Sequence, residues 1–464
     1  MANGWFESGM KDRIGYFDMF FRRVPDDGGF AIMAGVEQLI NYLDNLSFDD
    51  EDIEYLKSKK IFSEDFLDYL RSFRFSCDVW SVKEGTPVFA NEPIVIVRGP
   101  IIEAQFIETI LLLTINHQSL IATKANRIVR AALGKDVIEF GSRRAQGYDG
   151  AVYGARAAYI GGCVGTACVM ADKIFGVPAV GTMAHSWVQM FSTELDAFRA
   201  YARIYPDNCV LLVDTYNVLK SGLPNAIKVF KEEVITRSFR PKGIRIDSGD
   251  IAYLTKEVRR ILDDEGFYDC KIIASNSLDE YIIRDILFQG AKVDIFGVGE
   301  RLITSKSEPV FGGVYKLVAI EENGRIEPTI KLSENIAKIT NPAHKNVWRF
   351  YDKDSNKAIA DVLTRYEEEI DDTKPYELFD PEHTWKKKKI KNYYAKKLLI
   401  KIFDKGICTY KSPKLLDIRN HCFEQVDTLW DEVKRFENPH KYYVDLSEQL
   451  WQIKQNLLEK YSLD

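Results

Sequence analysis

Between Asp136 and Ile320, short apolar runs rich in β-branched residues recur, each closing on small or polar residues: VIEF, VPAVGTM, CVLLVDTY, GIRIDSG, KIIASNS, VDIFGVG and GVYKLVAI. Runs of this length and composition predict successive strands. Most are separated by stretches such as IAYLTKEVRRILDDEG and LDEYIIRDILFQG, whose apolar positions fall three and four apart and predict helices with one buried face. A helix between two strands returns the chain to the same end of the sheet, so the strands should run parallel. The alternation predicts a βα barrel, with the polar residues that close each strand gathered at its C-terminal mouth.

The flanks differ, and three segments are expected: 1–125, 126–325 and 326–464. The first carries a charged helical region from Asp49 to Ser72 and a Gly/Pro-punctuated strand pattern in VKEGTPVFANEPIVIVRGP, and reads as an α/β cap. A long helical signal from Ile101 to Leu133, with a break expected near Asn116, leads into the barrel strands. Beyond Glu322 the alternation fades. There DDTKPYELFDPEH and Lys386 to Lys389 read as an exposed connection before a terminal amphipathic helical region.

Composition narrows the function classes. A chain of 464 residues with 46% hydrophobic residues is too long for one ordinary domain. Its 63 basic and 69 acidic residues leave a formal charge of −6, which argues against nucleic acid as a partner. The sequence contains no apolar stretch long enough to span a bilayer and does not start like a secretory signal, so a cytoplasmic protein with no membrane partner is expected. Seven cysteines without CxxC spacing predict neither disulfides nor structural zinc, and Cys163 and Cys168 read as buried thiols. His117, His344, His383, His421 and His440 show no HxH or HExxH spacing, so packing or solvent roles are expected and no protein metal ligand is assigned.

The chemistry is expected at the strand ends. Polar clusters fall at Ser142, Arg143 and Arg144; at Thr182 and His185; at Asp214 and Thr215; at Arg245, Asp247, Ser248 and Asp250; and at Ser275 and Asn276. Gly297 to Gly299 offer exposed backbone instead. In RIDSGD a carboxylate can accept from sugar hydroxyls, and the turn at Ser248 and Gly249 presents free N–H groups to a phosphate. Ser248 or Asp250 could equally cap the helix that follows. His185 at a strand end could act as acid, base or phosphoryl acceptor, or be structural. Arg143 or Arg144 could clamp a carboxylate or phosphate, and Phe140 offers a face for a flat ring.

In EFGSRRAQG, GTMAHSW, VDTYN, RIDSGD, ASNSLDE and FGVGERL, in that order, the chain resembles nicotinate phosphoribosyltransferase. The resemblance extends through FFRRVPDDGGFAIMAGVEQ, KEGTPVFANEPI and ATKANR to NPHKYYVDLS, and so covers nearly the whole sequence. It implies an α/β fold of the type II phosphoribosyltransferase kind, an incomplete (β/α) barrel with an N-terminal α/β sandwich and a mostly helical C-terminal segment, working as a homodimer with composite sites. The implied reaction joins nicotinate to phosphoribosyl pyrophosphate (PRPP), coupled to ATP and assisted by Mg²⁺ that substrate phosphates hold. By the same resemblance His185 is the phosphorylated histidine, and Phe140 and Arg143 stack on and anchor the pyridine ring. Arg245 and Asp247 lie beside base and ribose, and Gly249, Asp250, Gly297 and Gly299 hold ribose and 5-phosphate. Ser248, Ser275 and Asn276 complete the implied substrate site.

Two features bear on specificity and completeness. Where the relative that uses nicotinamide has an aspartate in a GTD segment, this chain has GTA, Gly165 to Ala167, which favours the acid over the amide and argues against the nicotinamide reading. Family members begin with a segment like DxYQLTMANGYF whereas this chain begins MANGWF, so the stacking tyrosine is not in the sequence and a start downstream of the true one is expected. The alternative is a non-catalytic barrel that binds PRPP or a nucleotide. Glu300 stands where a small hydroxyl residue is expected.

Overall fold

The structure is a computed structural model that describes residues 1–335 and 338–462. The chain forms two compact units, Ile121–Pro309 and, from both ends, Met1–Leu120 with Val310–Asp464.

The unit at Ile121–Pro309 is built on six parallel strands: β1 (Asp136–Glu139), β2 (Gly165–Thr166), β3 (Val210–Leu212), β4 (Gly243–Ile246), β5 (Lys271–Ser275) and β6 (Ile295–Val298). Their order is β2-β1-β6-β5-β4-β3, so the first strand lies between the second and the last. One further parallel bridge joins Thr166 to Ala179. Strand alternation fixes what each face does. Ile244 and Ile246 are fully buried in a core with Val213, Phe230, Val258 and Leu262, while Arg245 between them projects the other way. The helix α1 (Ile251–Asp264) buries Ala252, Thr255, Val258 and Leu262, three and four residues apart, and Asp250 caps it by accepting from the N–H of Tyr253 at 2.8 Å.

The other unit carries a seven-stranded antiparallel sheet in the order Arg325–Pro328, Val314–Glu322, Ile14–Phe20, Val95–Pro100, Asp78–Val82, Leu399–Asp404 and Ile407–Cys408. A four-stranded sheet is formed by Tyr393–Lys397, Lys345–Asp352, Ala358–Arg365 and Val444–Leu446.

Several expectations are corrected here. The stretch beyond residue 326 carries more strand than helix, with helices only at Leu415–Asp427 and Glu448–Ser462 among its described residues. Its strands hide from a hydrophobicity reading because charged side chains are buried in them. Lys345, Arg349 and Asp361 are at most 1% exposed. The expected exposed connection contains a hairpin of Tyr376–Phe379 with Lys387–Ile390. GVYKLVAI is a strand, but it pairs antiparallel with Ile14–Phe20 and does not continue the parallel series. VPAVGTM supplies only the single bridge at Ala179, and the two-residue β2 occupies the place beside β1. The helical break falls at Ile107, between helices Ile101–Phe106 and Glu108–Ala131, and not near Asn116.

Arg349 donates to both oxygens of Asp361, at 2.8 and 2.7 Å, and to the carbonyl of Pro87 at 2.8 Å. Truncating one member of such a pair strands a buried charge. Arg349→Ala is expected to lower unfolding stability by about 3–5 kcal/mol in denaturant titration, and a loss below about 1 kcal/mol would mean that water reaches Asp361.

Candidate active site

The side chain of Arg245 organises the mouth of the parallel sheet. Its Nε donates to Ser275 Oγ at 2.9 Å, Nη1 to Thr182 Oγ1 at 3.0 Å and Nη2 to Asp247 Oδ1 at 3.0 Å. Ser275 also donates to Asp247 Oδ1. The guanidinium carbon stands 5.4 Å from the centroid of the Phe140 ring, in cation–π range. Strands β4 and β5, the end of β1 and the segment before His185 thus meet at one planar group.

A second knot forms around Asp214, which follows β3. Its Oδ2 accepts the backbone N–H of Asp247 at 3.0 Å and the hydroxyl of Ser248 at 2.6 Å. The turn after β4 is held there, and Gly249 within it has φ +83°, a left-handed conformation that suits glycine. The other oxygen, Oδ1, is buried without a hydrogen-bond partner. It lies 4.0 Å from His185 Nε2, and Asp247 Oδ2 lies 3.9 Å from the same nitrogen. Both distances are too long for a direct hydrogen bond. His185 Nδ1 is 3.1 Å from Thr215 Oγ1, and which of the two donates depends on the tautomer. The ring therefore has one nitrogen tied to Thr215 and the other facing two carboxylates from a side chain 40% exposed. His185 opens the short helix His185–Gln189.

Backbone closeness at Gly297 shapes the aromatic face. A Cβ there would meet the Phe140 ring at 2.5 Å, so only glycine on β6 lets that ring lie against the strand. Gly299 follows and precedes the four-residue helix Glu300–Ile303.

The structure brings Phe140, His185, Arg245, Asp247, Ser248, Ser275 and Gly297 into this group. Other candidates are not tied into these contacts among the described residues. Arg143 and Arg144 are exposed on the 3₁₀ turn Ser142–Arg144. Asp250 spends its carboxylate as a helix cap. Asn276 is exposed with φ +94° and accepts from Ser277 at 3.1 Å. Glu300 pairs with Lys306 at 2.7 Å and with Arg144 at 3.7 Å, and the hydrogen bond from Lys306 holds its carboxyl below the usual range. Among the other histidines, His344 stacks on Tyr366 at 4.0 Å between centroids, and burial pushes its pKa down to about 3.

Sequence reasoning finds Thr182, Asp214 and Thr215 only as polar strand ends. Their roles as acceptor for Arg245, anchor of the RIDSGD turn and partner of His185 come from pairings between distant residues. It misses Glu139 altogether, although a carboxylate at the buried end of VIEF is a departure from the apolar pattern.

Comparison with solved structures defines the class first. Human nicotinic acid phosphoribosyltransferase superposes with a TM-score of 0.88 at 28% identity over 98% of both chains. Nicotinate-nucleotide pyrophosphorylase from Pyrococcus furiosus, at 0.70 and 23% identity over 92% of both, shows likeness of fold alone. The protein is a mixed α/β chain with the type II phosphoribosyltransferase fold. Sequence comparison then narrows the class. The profiles of the nicotinate phosphoribosyltransferase N-terminal domain, family and C-terminal domain match residues 1–116, 136–369 and 344–454. Nicotinate phosphoribosyltransferase of Bacillus subtilis is 46% identical over 97% of this chain and 91% of its own, and that of Dictyostelium discoideum 34% over 98% and 86%. The chain belongs to the nicotinate phosphoribosyltransferase family.

Gly297→Ala is expected to drive the Phe140 ring off β6 and cost about 1–3 kcal/mol, the usual penalty of overpacking, read from thermal unfolding. An unchanged midpoint would mean that the ring yields freely.

Proposed function

We propose that this protein is a working nicotinate phosphoribosyltransferase that converts nicotinate and PRPP to nicotinate mononucleotide and diphosphate, with ATP hydrolysed to ADP and phosphate. The observation that carries this reading is 46% identity to the Bacillus subtilis enzyme over 97% of the chain. The reaction is the entry of nicotinate into NAD biosynthesis. The ring nitrogen of nicotinate is itself the nucleophile, so no strong protein base is needed. Phe140 stacks on the ring and Arg143 orients its carboxylate, a task suited to an exposed guanidinium on a turn. Displacement at the anomeric carbon builds positive charge, and Asp247, whose Oδ1 is held by Arg245 and Ser275, presents Oδ2 toward the sugar. Ser248, Gly249, Asp250, Ser275, Asn276, Gly297 and Gly299 surround ribose and 5-phosphate. Ala167, where nicotinamide-using relatives have aspartate, leaves no carboxylate to repel the acid.

ATP acts through His185. Nε2, the nitrogen not held by Thr215, attacks the γ-phosphorus, the P–O bond to ADP breaks, and water later hydrolyses the P–N bond. The unpartnered Asp214 Oδ1, with Asp247 Oδ2 on the same side of His185, suits a hard, hydrated cation, and Mg²⁺ would be held there mainly by substrate phosphates and water. A cation held there would supply charge neutralisation for the leaving diphosphate. We further infer that the six-stranded sheet is an incomplete barrel and that the enzyme works in the cytoplasm as a homodimer with composite sites. Among the described residues no helix is long and apolar enough to cross a membrane.

The primary test is turnover of nicotinate, nicotinamide and quinolinate with PRPP and Mg²⁺, with and without ATP. Nicotinate-selective, ATP-stimulated product is expected, and preference for either other base would overturn the assignment. His185→Ala should abolish the stimulation by ATP while slow ATP-independent transfer persists. Equal responses of both enzymes to ATP would remove His185 from its role. Arg143→Ala should raise the KM for nicotinate about tenfold or more, as expected when a charged hydrogen bond is lost, with a smaller change for PRPP. The reverse pattern would move Arg143 to the phosphates.

A further inference from the structure

Glu139, the last residue of β1, is fully buried and has a strand on either side, facing Thr166 on β2 and Val298 on β6. Its two carboxylate oxygens serve different segments. Oε1 accepts the backbone N–H of Gly141, and Oε2 accepts the hydroxyl of Thr166 at 2.6 Å. The Thr166 hydroxyl in turn accepts the N–H of Cys168 at 3.0 Å, and the Glu139 carbonyl accepts that of Ala167 at 2.9 Å. No ion pair with Glu139 occurs among the described residues. A carboxyl buried among neutral donors is expensive to keep, and burial pushes its pKa up. An apolar residue would fill the end of VIEF at lower cost, so its position calls for a reason in the site.

The two segments it joins flank the proposed base site. One carries Phe140 and then the 3₁₀ turn with Arg143, and the other is Gly165–Thr166 with Ala167. Gly141, the residue that Glu139 holds, has no slack. A Cβ there would lie 2.6 Å from Ile303 and 2.7 Å from the carbonyl of Gly299. Its backbone is therefore fixed on one side by packing and on the other by the carboxylate, and the direction in which Phe140 and Arg143 leave the strand follows.

We propose that Glu139 is a positioning residue for the pyridine base, which, through Gly141 and the Thr166 hydroxyl, locks the Phe140–Arg143 turn to the Gly165–Ala167 segment and so sets recognition of the nicotinate carboxylate. The proposal rests on the nicotinate transfer reading. Glutamine at 139 keeps an acceptor for Gly141 but puts an amide N–H against Thr166 Oγ1, which leaves the threonine hydroxyl without its acceptor. Valine at 166 removes the hydroxyl and leaves the carboxylate, and serine restores it.

The experiment compares wild type, Glu139→Gln, Thr166→Val, Thr166→Ser and the Glu139→Gln/Thr166→Val double variant, with KM measured separately for nicotinate and PRPP and the melting temperature alongside. Glu139→Gln and Thr166→Val should each raise the KM for nicotinate about tenfold, the loss expected of one charge-assisted hydrogen bond, while the KM for PRPP stays within about twofold. The double variant should add little to either, because both break one link, and Thr166→Ser should match wild type. Parallel rises in both KM values that track a lower melting temperature would overturn the proposal in favour of a merely structural acid. So would an unchanged KM for nicotinate in Glu139→Gln. If Glu139→Gln does not fold, the contrast between Thr166→Val and Thr166→Ser decides in its place: a KM for nicotinate raised by valine and restored by serine upholds the link, and equal values overturn it. Failure of wild type to use nicotinate would overturn the functional reading and this inference with it, whereas wild-type turnover with unmoved variants overturns the inference alone.

Discussion

The guanidinium of Arg245 is the contact on which the rest of the mouth depends. A planar group with donors in fixed directions can hold three acceptors only if all three are already near its plane. The acceptors here come from β5, from the segment before His185 and from the residue two positions on. Arg245 can point to them because Ile244 and Ile246 are committed to the core on the opposite face. The hydrophobic pattern of GIRI thus decides the direction of its one charged residue. The Phe140 ring then lies within cation–π range of that charge, over a strand whose Gly297 keeps clear of it.

Asp214 plays a complementary part with opposite charge. One of its oxygens is consumed in holding the turn of RIDSGD, and the other is left buried and open toward His185. Burying an acceptor without a partner costs free energy, and such an atom is tolerated where a ligand completes it. The hydrogen bonds at Asp247, Ser248 and Asp250 also explain why one six-residue motif looks both structural and functional. Ser248 and Asp250 are bound to protein groups in the fold, and the backbone of the turn between them is what remains to meet a ligand.

Much of this was legible in the chain. Short apolar runs rich in β-branched residues and ending in polar ones located five of the six parallel strands, and with them the polar strand ends that the structure groups around Arg245 and Asp214. The resemblance carried by EFGSRRAQG, GTMAHSW and RIDSGD pointed to the family that the comparisons show. What stayed hidden was of two kinds. Strand β2 is two residues long and is defined by its pairing with β1 and the bridge to Ala179, so no local pattern announces it. The strands at Lys345–Asp352 and Ala358–Arg365 carry Lys345, Arg349 and Asp361 at buried positions, and a reading that sends charge to solvent misplaces them. Pairings at long range, such as Lys345 with Asp18 at 2.9 Å, decide both cases.

The charge balance of the mouth separates its proposed ground state from its transition state. The hydrogen-bonded group holds two carboxylates, Asp214 and Asp247, against one guanidinium, so with His185 neutral it carries an excess of one negative charge. PRPP brings several negative charges of its own, and at a few ångströms in a partly buried site like charges repel by kilocalories rather than tenths. A polyanion enters such a place only with a cation beside it, which fits the Mg²⁺ dependence proposed above. In the proposed reaction the same excess would favour the anomeric carbon as it becomes positive while diphosphate departs. An arrangement that repels the bare donor and attracts the developing oxocarbenium would bind the transition state better than the substrate, and in the proposed reaction that difference would be set by the two aspartates that follow β3 and β4.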